Sequence, residues 1–511
     1  MNNITKKLAH LRKIKTKFVN MAKKNKPKSR SSIRQHKQVG KTLIPPLMTV
    51  PNIGFQSWAN ERMPEILWAC LVISVFPRSE ALAAFRVIAE FGFNYRDKKH
   101  EFEFSLYQTK LAELPQELIT HIVKTVTKHP LGYAALRPLL LFDTLPGREL
   151  WEKLLNAKIQ NADWKTLSDA VLKTLDHQSQ ESTDVRWLRL IFKIALGDMY
   201  YPSAMKENFE ELIYYPSKGD MRSVRPFIRA GEMSVDMNIQ QDKAWSQNFW
   251  KECLEKTECK PVILSRKLSR NYDYESLIGD IQNIKNSLIA HWSKTLDSTD
   301  VDSKHDAAFG FVFFGLASLL EMISGLNGYG ITGRSLLRTL VECRITLSFL
   351  CKSSSNDLWS KFRAYGTGQA KLSLLKLDEF DGEKPDYVAV EVLEQLCNED
   401  FFHEYVKIDL GHWCGLDLRK MAEKSETKDD YDKYYGWPSG FVHGQWEAQR
   451  DTCMTNCLNP LHRLHRVPLP DHRLLENTVP DGIKLVNSMI KDLSSIYPDF
   501  LLRITLSTQE I

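Results

Sequence analysis

The chain reads as all-α: a basic disordered N-terminal tail, an N-terminal helical domain and a C-terminal helical bundle. Three observations carry that expectation. Apolar residues recur at helical spacing through most of the chain after residue 58. No stretch alternates polar and apolar residues as a half-buried strand does, and no fixed-period repeat occurs. The helical segments are short and divided by Pro, Gly or Asp/Ser turns, the pattern of packed bundles. With 511 residues the chain exceeds one ordinary core, so more than one domain is expected.

Residues 1–42 form the tail. Its first 41 residues hold 14 Lys or Arg and no acidic residue; the whole chain is formally +6, so residues 42–511 carry a formal −8. The basic character therefore belongs to the tail. Three readings stay open for it: a solvated arm, an arm that binds nucleic acid through Lys13, Lys15, Lys23, Lys24 and Arg30, and a targeting or membrane-surface segment. No apolar signal core follows it, which argues against secretion. The nine scattered cysteines suit reduced thiols in the cytoplasm.

Leu43–Phe55 is a proline-marked linker. Residues 56–200 are expected to form the N-terminal helical domain, with Ser79 as an N-cap ahead of Glu80. Residues 201–280 are less regular and are expected to connect the two halves. Helical spacing resumes over 281–497, the expected C-terminal bundle. The apolar run Ala307–Gly325, interrupted by Glu321, reads as a core helix rather than a membrane span.

The helix over Arg334–Cys351 is the most informative. Leu336, Leu340, Cys343, Leu347 and Leu350 share one face, whereas Arg334, Arg338 and Glu342 line the other. Leu337, Val341 and Ile345 lie among those charges, so the helix is expected to be buried nearly all round. Its charges then either pair internally, as Arg338–Glu342, or face a ligand. Downstream come Tyr365 and Lys371, then YDKYYGWPSGFVHGQW (residues 431–446). Pro438 suits a first helical turn, and a helix over Pro438–Gln445 would set Ser439 and His443 one turn apart. An imidazole beside a hydroxyl can act as a general base or as a phosphate contact.

RSLLRTLVECRITLSFLC, Tyr365 and Lys371, HWCGLDLRKMAEKS and YDKYYGWPSGFVHG, in that order, resemble a bacterial family of unknown function that is similar to the HEPN (higher eukaryotes and prokaryotes nucleotide-binding) superfamily. The resemblance spans about residues 281–495. It implies a metal-independent endoribonuclease of antiviral-defence or toxin–antitoxin type, with Arg, four to six residues, then His at a dimer interface. The histidine falls on His443. The arginine position falls on Gly436, Trp437 or Pro438, none of them basic. On this reading His443 carries a proton beside Ser439, and Arg338 or Arg334 stabilises phosphate charge. Glu342, Tyr365, Lys371 and Tyr434 complete the substrate-binding set. The implied partners are RNA in preference to DNA, a defence-system protein and a second copy through the C-terminal bundle, with no membrane. A non-catalytic adaptor that holds nucleic acid or a partner protein is the competing reading, and Gly436 favours it.

CMTNCLNPLHRLHRVPLPDHR places Cys453, Cys457, His462, His465 and His472 close together, residue types that zinc takes. Their spacing matches no common finger, so no metal and no cofactor is expected. The stretch reads as a basic His/Arg loop packed beside the His443 helix. Nucleotide-binding glycine loops and the metalloprotease and serine-hydrolase motifs do not occur. The acidic pairs Asp378/Glu379 and Asp429/Asp430 read as solvated.

Overall fold

A computed structural model describes residues 35–44, 56–98, 102–199, 206–235, 244–262, 272–353, 355–398 and 406–507. Helix dominates these residues. Strand is confined to two antiparallel hairpins, β1 (Lys37–Val39) with β2 (Thr42–Ile44), and β3 (Met454–Asn456) with β4 (Arg466–Pro468). The fold is all-α. The first hairpin falls where only tail and linker were expected, and most of its side chains are exposed. Lys13, Lys15, Lys23, Lys24 and Arg30 lie outside the described residues.

The chain divides into two units, residues 1–258 with 460–463, and residues 259–459 with 464–511. The principal helices of the first are α1 (Leu67–Val75), α2 (Arg78–Phe93), α3 (Gln116–Thr127), α4 (Asn161–Leu175), α5 (Gln180–Ala195), α6 (Met221–Val235) and α7 (Ala244–Lys256). Residues 67–73 of α1 are apolar and buried on every side. The expected cap at Ser79 is displaced: α2 begins at Arg78 behind Pro77, with no side-chain cap. Ser179 does cap α5, accepting from the Ser182 N–H at 3.0 Å.

Within residues 201–280, expected to be connecting chain, the helix Lys206–Ile213, α6 and α7 supply residues to this unit's core. Trp245 Nε1 donates to the Pro64 carbonyl at 2.9 Å, and Trp250 Nε1 to that of Ala59 at 3.0 Å. Glu232 of α6 lies 1% exposed and takes ion pairs from Arg62 and Arg189, with Arg186 at 3.7 Å. Arg186 also lies over Trp58 and Arg189 over Tyr107. Burial brings the Arg186 guanidinium down to about 10, against the pull of Glu232.

The second unit holds α8 (Tyr274–Thr295), α9 (Ser303–Ile323), α10 (Ile331–Lys352), α11 (Asp357–Asp378), α12 (Leu418–Lys424), α13 (Lys428–Tyr434), α14 (Gly436–Val442), α15 (Trp446–Cys453) and α16 (Val479–Ile496). Helix α9 is long and apolar enough to cross a membrane by composition, yet it carries core contacts. A Cβ added at Gly315 would meet Val486 and Met489 of α16 at 3.2 Å, so glycine permits this close approach. Helix α10 packs mainly on α16, burying Leu340 and Leu347 and equally Leu337, Val341 and Ile345. Arg344, not singled out in the sequence, ties it to Asp492 of α16 and lies 3.6 Å from Asp430 of α13.

Candidate nucleic-acid cleft

Three short helices build the stretch from residue 428 to 453. Helix α14 spans Gly436–Val442 rather than the expected Pro438–Gln445. It stops at His443 because Gly444 turns left-handed at φ +57°, and α15 then begins at Trp446. The His443 N–H donates to the Ser439 carbonyl at 3.2 Å, so the two residues do lie one turn apart. Ser439 is half-buried and His443 exposed.

The α10 arginines reach this stretch from behind. The Arg338 guanidinium lies 3.5 Å from the Tyr435 ring centroid and pairs with Glu342 at 2.6 Å. Its Nε finds no hydrogen-bond acceptor among the described residues. The pair is lopsided, with the Arg338 side chain 11% and the Glu342 side chain 47% exposed. Arg334 lies over Phe441 and donates to the carbonyls of Gly330 and Glu476. Tyr434 donates to Asp481 at 3.3 Å. Tyr365 and Lys371 make their contacts elsewhere: Tyr365 faces His412, and Lys371 Nζ donates to the Val406 carbonyl at 2.9 Å.

A cleft of about 270 Å³ opens beside α14 and α15. Trp437 stands at one side, 55% exposed. Arg450 of α15, Arg466 of β4 and Arg473 supply three guanidinium groups, against the carboxylates of Glu447 and Asp451. Asp451 lies 3.8 Å from Arg473, whose other arm donates to the Met454 carbonyl at 3.3 Å. Burial, and then the like charge of Arg450, lower the Arg466 pKa, so an anion placed here relieves both groups. Trp446, 57% exposed, adds a second uncovered indole on α15. Sequence reasoning missed Trp437, Arg450 and Arg473 as site residues. Its one usable signal was the expected placement of the His/Arg loop beside the His443 helix, which Arg466 and Trp437 share in this cleft.

A second constellation gathers on that loop. Cys259, Cys457 and His465 of the second unit present ligand atoms that all lie within 4.8 Å of one another. His462 belongs to the first unit, where its Nε2 lies 2.9 Å from Thr257 Oγ1. Cys453, the expected neighbour of Cys457 in such a group, is not among them; its sulfur lies 3.3 Å from the Thr452 hydroxyl.

Residues 317–455 match the model of a family of unknown function (DUF5677). The matched stretch runs from α9 into β3 and carries Arg334, Arg338, Ser439 and His443. No curated protein and no solved structure matches the chain.

Proposed function

We propose that this protein binds single-stranded RNA in the cleft beside α14 and α15, and acts as a non-catalytic adaptor in a cytoplasmic defence complex. The observation that carries the RNA reading is one cleft holding an exposed indole and three arginines, Trp437 with Arg450, Arg466 and Arg473. Indole faces stack bases without regard to sequence, and guanidinium groups hold phosphates through paired N–H donors. The defence setting and a partner protein follow from the HEPN resemblance alone. Trp437→Ala is expected to weaken binding of a labelled single-stranded RNA by about 1–3 kcal/mol, the worth of one stacked base. Arg450→Ala with Arg466→Ala is expected to weaken it further and to flatten its salt dependence. Fluorescence anisotropy over a salt series measures both, and affinities equal to wild type would reject the cleft.

A metal-independent endoribonuclease is the second reading. It is favoured by the placement of Arg334 and Arg338 against Phe441 and Tyr435, on the stretch that carries Ser439 and His443. The cutting reading needs an arginine near Gly436, and a Cβ there meets nothing within 4 Å. Cleavage by wild type that His443→Ala abolishes without loss of melting temperature would establish this reading. Cleavage gained only in Gly436→Arg would mark the natural chain as a binder.

A further inference from the structure

We infer that Cys259, Cys457 and His465 of the second unit bind a zinc ion that fixes the β3–β4 hairpin and, with it, one wall of the cleft. The metal site stands on its own observations; only its consequence for the cleft rests on the RNA reading above.

Three protein ligands leave a tetrahedral zinc one open position. With Zn–S near 2.3 Å and Zn–N near 2.0–2.1 Å, a sulfur and a nitrogen ligand stand about 3.6 Å apart. Cys259 Sγ and His465 Nε2 are 3.4 Å apart, and the three ligand atoms fall within 4.8 Å of one another. Two thiolates with an imidazole suit zinc better than magnesium or calcium, which take oxygen ligands.

The backbone sets the ligands in place. Cys457 directly follows β3 and His465 directly precedes β4, and the Cys457 N–H donates to the His465 carbonyl at 2.9 Å. Pro261 bridges Cys457 as an isolated antiparallel pair, and the Leu458 N–H donates to the Lys260 carbonyl at 2.7 Å, which brings Cys259 alongside.

One surrounding hydrogen bond has the polarity that a metal-bound sulfur requires: the Lys260 N–H donates to Cys457 Sγ at 3.1 Å. Binding releases the two thiol protons to solvent, so metal affinity falls as pH falls.

Full-length protein purified without chelator is expected to carry about one zinc per chain by elemental analysis. Cobalt(II) titrated into the stripped protein is expected to give the d–d bands of a tetrahedral site and a thiolate charge-transfer band. Cys457→Ser and Cys259→Ser should abolish the charge-transfer intensity or cut it sharply. Cys453→Ser, in the same stretch but outside the set, should leave metal content and spectrum unchanged. His465→Cys, which keeps three ligands, guards against reading misfolding as failed ligation and should retain the metal. Wild type that neither carries zinc nor gives a tetrahedral cobalt spectrum would overturn the site, as would equal losses of metal in Cys453→Ser and Cys457→Ser. RNA affinity, compared in zinc-loaded and stripped protein, separates the two readings. Zinc bound without RNA binding supports the metal and rejects the cleft, whereas RNA bound by a chain that takes no metal rejects only the zinc.

Discussion

Single residues show where burial turns charge into stability. Glu232 faces Arg62, Arg189 and Arg186 with all four side chains at most 4% exposed. Removing the one carboxylate would leave cations desolvated without a counter-charge, so Glu232→Ala is expected to lose about 3–5 kcal/mol in denaturant unfolding. Glu342→Ala removes an exposed partner and is expected to stay within about 1 kcal/mol; comparable losses of stability in the two variants would contradict this assignment. Glu252 gives the pH dependence. Burial alone would raise its pKa, but bonds from Lys256, the Thr144 hydroxyl and the N–H groups of Asp143 and Thr144 outweigh it and hold the carboxyl below 4.5. A depressed folded-state pKa adds stability that is complete above the unfolded value and is lost as pH falls through the folded one. Wild type should therefore lose more stability than Glu252→Gln below about pH 4.5, in melting curves taken across that range. Parallel curves would exclude the effect.

At the scale of elements, close approaches rather than helix propensity decide the second unit. The start of α10 docks on the turn before it and on Thr478, at the start of α16. A Cβ at Gly333 would stand 2.6 Å from both the Asn327 carbonyl oxygen and Thr478 Oγ1, and 2.8 Å from the Gly328 Cα. Gly333→Ala is thus expected to destabilise by about 1–3 kcal/mol, although alanine is the better helix former. Thermal unfolding checks this, and a stabilised variant would show that the turn can yield. The α10 sequence disclosed burial on all sides because its apolar residues wrap the helix. It did not disclose Arg344 as the tie to Asp492 and Asp430, since nothing in one helix's period identifies its partners. Helices α6 and α7 escaped the sequence reading although both are periodic: α6 buries Val224 and Ile228, and α7 buries Trp245, Phe249 and Cys253, four residues apart in each. Pro226 lies inside α6, where a proline reads as a helix breaker.

For the whole molecule, charge is divided between an all-basic start and a body formally at −8. Deleting residues 1–41 is expected to leave the melting temperature unchanged and to lower RNA affinity most at low salt. The slope of log affinity against log salt should flatten by about 0.7 for each phosphate that the tail had neutralised. Identical slopes with and without the tail would remove it from RNA binding. The sequence by itself determined the helical class and the charge division, because periodicity and composition are local properties that survive without knowledge of the fold. It also marked residues 431–446 as unusual, through their crowded aromatics. Tertiary structure alone decided which charges are buried and which cysteine joins Cys457. Cys259 and His465 lie 206 residues apart in sequence and 3.4 Å apart in space, whereas Cys453, four residues from Cys457, stands outside the ligand set. Ligands meet through strand pairing and turns, and no one-dimensional spacing encodes a contact made by chain returning from another part of the fold.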